Sequence, residues 1–327
     1  MELKFNIAYV PGTVRYLGLL VFSLLKWSDC SFRLVANACS PQEVRLLREL
    51  CHKSTRLELL TAPSKMVMPY GQLLNYLHSL EHSDYFCFLD SDILATGDFV
   101  SEMLPYLERY AAVFSASPIW CAEEPPIVPA DSARIPGGLS KTSDGLCIGN
   151  TCFAIYDNRV LIPFLQTTDV TFQLYQWPDI PGPYQSQLLS MGLKKRAYDN
   201  GRVLNILLAG RGNRLVFVDS PSLQHIGGLS GRIAKRKRSG WVKRLRRSIG
   251  SRQRQSVAAR DEFRPTRAKR AYKAPTALYF NELLRSLFER APLPPIPDLG
   301  DRDIERRIES VATHLVSLYE EFGDQLA

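Results

Sequence analysis

The first hundred residues alternate between short apolar runs and segments with helical apolar spacing, the pattern of a parallel sheet with crossover helices. Leu3 to Val10 is an apolar run closed by Pro11-Gly12, which predicts a strand and its turn. Thr13 to Trp27 has helical spacing, and Phe32 to Ala38 predicts a second strand. Ser40-Pro41-Gln42-Glu43 then supplies a helix start, with Ser at the N-cap, Pro at the first helical position and Glu placed to complete a capping box. That helix continues through Val44 to Cys51. Leu57 to Leu60 predicts a third strand, Gly71 to Leu80 a third helix and Tyr85 to Leu89 a fourth strand. The order is Rossmann-like, βαβαβαβ, and predicts an α/β fold with a mostly parallel central sheet.

Further along, Ser101 to Tyr110 predicts a helix and Ala112 to Ser115 a strand. Residues 117–145, rich in Pro, Gly and Ser, predict a long surface loop of the kind that serves as a lid. Leu146 to Tyr156 and Leu215 to Val218 predict further strands. Apolar periodicity is lost from Gly227 to about Lys273. Thr276 to Arg290 and Arg302 to Phe322 then predict two amphipathic helices flanking the Pro-rich stretch Ala291 to Asp298. The chain thus divides into an α/β domain (1–228), a basic segment (229–275) that is a candidate for disorder or membrane binding, and a C-terminal helical extension (276–327).

At 327 residues, 45% of them apolar and 23% charged, the chain is long enough for a large core and ordinary for a soluble protein. Its most apolar stretch, Tyr16 to Leu25, is about half the length that spans a bilayer and reads as a buried helix. No signal-peptide pattern follows Met1. Seven cysteines without a CxxC pair, several of them inside apolar runs, predict reduced thiols in a cytoplasmic protein and argue against a zinc site.

The net charge of +8 is unevenly spread. Between Arg232 and Lys273, 17 Lys and Arg stand against Asp261 and Glu262, while the remainder of the chain is net negative. Lys235-Arg236-Lys237-Arg238, followed by Trp241, Lys243, Arg244, Arg246, Arg247 and Ile249, suits the inner face of an anionic membrane better than nucleic acid. A solvated linker is the plainer alternative.

The chemistry gathers at Phe88-Leu89-Asp90-Ser91-Asp92. Two carboxylates one residue apart at the end of a buried strand repel each other, and burying either alone is costly. A divalent ion removes both penalties, and Mg²⁺ or Mn²⁺ favours carboxylate oxygens together with substrate phosphates. Asp-x-Asp by itself is weakly specific, since one Asp can cap a turn while the other faces water. Its place at a strand end, where such sheets bind ligands, strengthens it. Gln224-His225-Ile226-Gly227-Gly228 offers a neutral imidazole as a third ligand and glycines that let backbone approach a phosphate. His52, His78, His82 and His314 read as ordinary surface or boundary residues.

With these residues in place, the sequence resembles the GT-A fold glycosyltransferases over about 225 residues. Met68-Pro69-Tyr70-Gly71-Gln72-Leu73-Leu74-Asn75 followed by Tyr85 to Asp92 is similar to the family's Gly…Leu-Asn helix and D-x-D strand. Ile148-Gly149-Asn150 resembles the strand beside the acceptor site. Tyr198-Asp199-Asn200-Gly201 and then His225-Ile226-Gly227-Gly228 resemble the end of the catalytic domain.

The resemblance implies a Mn²⁺ or Mg²⁺ ion held by Asp90, Asp92 and His225, and a UDP- or GDP-linked sugar as donor. Pro11, Arg15, Asn37, Gly71, Asn75, Ser91, Gly227 and Gly228 would lie near the nucleotide; Asn37 stands where many relatives carry Asp. The acceptor would be a hydroxyl of a glycan or lipid-linked glycan, as in polysaccharide biosynthesis. An inverting reaction needs a carboxylate base, for which Asp179 ranks ahead of Asp199; a retaining one stays open. The rival readings are a haloacid-dehalogenase-type phosphatase, a sugar nucleotidyltransferase and a non-catalytic nucleotide-sugar-binding protein. The first usually has Thr or Val where this chain has Leu94, and the second a Gly-rich N-terminal segment that Val10-Pro11-Gly12-Thr13 lacks.

Overall fold

The computed structural model describes residues 2–121, 140–141, 147–148, 152–193, 195–238 and 267–325, with only the backbone of 140–141, 147–148, 235–238 and 267–271. Most of the predicted loop 117–145, the Ile148-Gly149-Asn150 motif beyond its first residue, and the run from Trp241 to Ile249 lie outside the described residues.

The strands are β1 (Lys4–Tyr9), β2 (Ser31–Ala36), β3 (Leu57–Thr61), β4 (Tyr85–Asp90), β5 (Ile93–Ala95), β6 (Ala112–Phe114), β7 (Ser140–Lys141), β8 (Cys147–Ile148), β9 (Phe153–Asp157), β10 (Leu215–Phe217) and β11 (Leu223–His225). The helices are α1 (Val14–Leu17), α2 (Leu20–Lys26), α3 (Pro41–Cys51), α4 (Tyr70–Ser79), α5 (Phe99–Leu107), α6 (Asn158–Thr167), α7 (Gly182–Ser190), α8 (Arg202–Gly210), α9 (Leu229–Arg238), α10 (Arg267–Glu289) and α11 (Arg302–Phe322). Seven strands form one sheet in the order β10-β6-β9-β4-β1-β2-β3, and every pairing is parallel except those of β9. This is the mostly parallel Rossmann-like α/β sheet that the alternating pattern predicts.

Residues of the inner strands alternate between two apolar layers, as a period of two requires. Phe5, Ile7, Cys87, Leu89, Phe153 and Ile155 face one layer, while Phe86, Phe88, Ala154 and Tyr156 face the other, where α4, α6 and α8 pack. The C-terminal helices complete the first layer. Phe280, Leu284, Ile304, Ile308 and Leu315 are buried in it, and Phe322 stacks on Phe22 of α2 at 4.7 Å between ring centroids. Each such side chain contributes about 1.5–3 kcal/mol through burial, so α10 and α11 are held firmly to the sheet.

The capping box forms as predicted, with Ser40 and Glu43 satisfying each other's amides. The Glu43 carboxylate also accepts from the Gly12 amide, tying down the β1–α1 turn. The predicted helix from Thr13 to Trp27 is two short ones. Around Gly18 and Leu19 the amides of Val21 and Phe22 bond three residues back, which tightens and interrupts the helix. Where the sequence predicts lost periodicity, α9 and the first turns of α10 are helical, and they pack on each other. Among the described residues, no helix is long and apolar enough to cross a membrane.

Candidate metal and nucleotide site

A cavity of about 580 Å³ lies beyond the carboxyl ends of β1, β2 and β4, where an open α/β sheet binds its ligands. Asp90 ends β4 and Asp92 precedes β5. Strand β11 pairs antiparallel with β5, bringing His225 opposite Ile93. The Ile226 amide donates to the Asp92 carbonyl at 3.1 Å, and the Ile119 amide to the His225 carbonyl at 2.9 Å. Backbone pairing therefore fixes the relation of His225 to the two aspartates.

One donor atom from each of Asp90, Asp92 and His225 lies within 4.8 Å of the others. His225 Nε2 is 3.3 Å from Asp92 Oδ1 and 3.6 Å from Asp90 Oδ2, yet it makes no properly angled hydrogen bond although it is buried. Nδ1 meets the Ala116 carbonyl at 3.2 Å. With the Nδ1 proton placed on that carbonyl, the Nε2 lone pair faces the carboxylates, the way proteins orient a metal-ligating histidine. Asp92 divides its oxygens: Oδ2 accepts from the Leu229 amide at 3.0 Å at the start of α9, while Oδ1 faces His225.

Crowding two carboxyl groups and an imidazole together in a buried site shifts each of them. Burial, and then the neighbouring Asp92, push the Asp90 carboxyl up to about 7 against the pull of His225 and a hydrogen bond from Tyr70. Burial also opposes charge on Asp92, but contact with His225 and the Leu229 amide outweigh it and hold Asp92 below the usual carboxylate range. Burial disfavours the charged form of His225, but contact with Asp92 outweighs it and holds the imidazole proton more tightly than usual, a proton that a bound cation would displace. Burial raises the Cys152 thiol. That keeps it protonated and leaves two carboxylates and one imidazole, a donor set that fits Mn²⁺ or Mg²⁺.

Of the residues singled out in the sequence, Asp90, Ser91, Asp92, His225, Asn37, Gly227, Gly228 and Asp199 line the cavity. Asn37 exchanges hydrogen bonds with the Met68 backbone, donating to its carbonyl at 3.0 Å and accepting from its amide at 2.8 Å, so its amide group is already engaged. Gly227 and Gly228 both have positive φ, 76° and 86°, and a side-chain carbon at Gly227 would lie 2.7 Å from Trp120 Nε1.

The remaining candidates are not brought to the cavity. Arg15 is exposed, its guanidinium over the rings of Tyr16 and Phe288. Pro11 belongs to the turn that Glu43 holds. Gly71 makes room for the Phe172 carbonyl, 2.4 Å from where its side-chain carbon would stand, and Asn75 accepts from the Phe172 amide at 2.9 Å. Both position a loop. Asp179 is exposed on a 3-10 turn, Trp177–Asp179, outside the lining. Asp199 lies in the turn before α8, and its charge is felt by Asp90.

Tyr70, Trp120, Ser230, Gly231 and Lys273, none of them a candidate on sequence grounds, also line the cavity. Tyr70 follows Pro69 at the start of α4, beside the Gly71 and Asn75 of the same motif. The Ser230 and Gly231 amides, in the first turn of α9, donate to no acceptor among the described residues, a signal readable only once that helix is seen.

No family model and no curated protein matches the chain. Solved structures similar to it include S. aureus TarS, 11% identical, covering all of this chain and 54% of that one at a TM-score of 0.45. Another is the mannosyltransferase PcManGT from Pyrobaculum calidifontis in complex with GDP-Man and Mn²⁺, 13% identical, covering 98% and 83% at 0.41. A third is S. aureus TarS 1-349 in complex with UDP, 12% identical, covering 97% and 91% at 0.40. The chain thus spans about half the length of the first of these.

Proposed function

We propose that the protein is a metal-dependent glycosyltransferase that moves a sugar from a nucleoside-diphosphate sugar to a hydroxyl acceptor. One observation carries the reading: Asp90, Asp92 and a buried, unpartnered His225 Nε2 converge in the wall of a cavity at the strand ends. These three side chains would hold Mn²⁺ or Mg²⁺. When bound, the ion offsets the negative charge that develops on the leaving diphosphate. The chain supplies the rest. The amides of Ser230 and Gly231 at the start of α9 suit phosphate oxygens, and the Gly227-Gly228 pair lets backbone come close. Val10 and Met68, which line the cavity together with Asn37, suit the nucleoside.

Asp199 is the better candidate for the base that takes the acceptor proton, because it lines the cavity and the exposed Asp179 does not. A single base acting on the acceptor goes with inversion. The acceptor class we favour is a glycan or lipid-linked glycan. The basic segment 232–273 would hold the protein peripherally on an anionic membrane.

The test is release of nucleoside diphosphate from a panel of UDP- and GDP-sugars with Mn²⁺, in the wild type and in Asp92→Asn. The variant keeps an oxygen for the Leu229 amide, so it should fold while losing at least about 100-fold in activity. Equal release by both proteins, or phosphate release from phosphomonoesters and from no nucleotide sugar, would contradict the reading.

A further inference from the structure

The cavity is short of positive charge. Asp90, Asp92 and Asp199 line it, and among the described residues Lys273 is the single Lys or Arg that does so. A nucleoside diphosphate brings further negative charge. One divalent ion between Asp90 and Asp92 compensates the carboxylates and leaves little over for the phosphates, so a second cation is required on electrostatic grounds.

Lys273 has the position and freedom for that role. It lies on α10, which is held in the core by Phe280 and Leu284, both buried in the same apolar layer as the sheet. Its ammonium stands over the indole of Trp120, 5.3 Å from the ring centroid, and makes no ion pair among the described residues. Its stem crosses Gly228 so closely that a side-chain carbon there would lie 2.8 Å from Lys273 Cε. The φ of 86° favours glycine at this position, and the mobile Lys273 stem runs alongside it. Lys273 is solvent-exposed as well as lining the cavity, so its ammonium is free to turn from the indole toward a ligand.

We infer that Lys273 binds the diphosphate of the donor, with Trp120 and Gly228 guiding it into the cavity. This rests on the donor reading above. It makes the C-terminal helices part of the donor site: α10 supplies a cation that no other described residue lining the cavity provides. The Trp120 face holds the ammonium by a cation–π contact that is weak enough to be exchanged for phosphate oxygens.

The test is titration of the full-length protein, in Mn²⁺, with UDP and GDP and separately with uridine and guanosine. Wild type is compared with Lys273→Met and Lys273→Arg. Lys273→Met should bind the preferred diphosphate about tenfold more weakly, about 1.4 kcal/mol, with nucleoside binding unchanged, and Lys273→Arg should recover most of the loss. A merely structural lysine would weaken nucleoside and diphosphate alike, and that result, or an unchanged diphosphate affinity, overturns the inference. If the wild type binds neither UDP nor GDP, the donor reading fails and this inference falls with it.

Discussion

Two clusters of charged side chains, one across β1, β2 and β3 and one where β4 ends beside the separate β5–β11 pair, are built on opposite principles. Across β1, β2 and β3, Arg33 donates to Glu58 and, at 3.3 Å, to Asn6 Oδ1, while Lys4 Nζ is 3.3 Å from Glu58. Asn6 in turn donates to the Cys87 carbonyl at 2.9 Å. Each polar head has a partner, and cations balance the anion. At the strand ends, Asp90 and Asp92 face each other across a buried imidazole whose Nε2 has no hydrogen bond. A half-buried cluster that completes its own hydrogen bonds and charge helps hold the fold together. One that leaves both incomplete is arranged for something not covalently part of the chain.

Tyr70 sharpens the contrast at the largest scale. Its hydroxyl donates to Asp90 and is kept protonated by burial and by the Asp90 charge. Removing it in Tyr70→Phe should weaken Mn²⁺ binding by about 10-fold, the lower end of what losing an outer hydrogen-bond partner of a metal ligand costs. The fold should remain intact by circular dichroism. An unchanged Mn²⁺ affinity would mean that Asp90 needs no orienting partner.

Glu58 gives the smaller and opposite effect. Burial disfavours its charge, but the hydrogen bond and charge of Arg33, helped by Lys4, pull it below the ordinary carboxylate value of 4.5. A lowered carboxylate pKa adds stability that is present above the unfolded-state value and lost as pH falls through the folded-state value. Glu58→Gln should therefore be less stable than wild type at pH 7, and the gap should close in acid below the ordinary carboxylate range. With the Glu58 side chain 44% exposed, solvent screening keeps the difference under about 1 kcal/mol. Urea unfolding at several pH values reads it, and Mn²⁺ should not change it. A dependence on Mn²⁺ would break the separation of the two clusters.

Much of this organisation is written locally. The apolar runs of β1 to β4 and the Ser40–Glu43 capping box depend on neighbours in sequence, and so did the strand end that drew attention to Asp90 and Asp92. The way His225 reaches them was not legible. It depends on β5 and β11, three residues each, too short for any periodicity, and paired only because the chain returns there. Helix α9 was hidden because, among its described side chains, only Leu229 and Ile233 are buried, and the sequence around them is basic. Lys273 was one cation among 17 until α10 aimed it at the cavity. Asp179 ranks ahead of Asp199 on sequence, and only tertiary structure separates the exposed Asp179 from Asp199, which lines the cavity.

The most direct measurement is electron paramagnetic resonance titration of Mn²⁺ into the wild type and into His225→Ala, with and without UDP or GDP. The account predicts one Mn²⁺ per chain in the wild type, bound more tightly when the diphosphate is present, with affinity at least about 10-fold weaker in His225→Ala. A wild type that binds no Mn²⁺ under either condition, or binds it equally well without His225, would contradict the assignment of Asp90, Asp92 and His225 as one metal site.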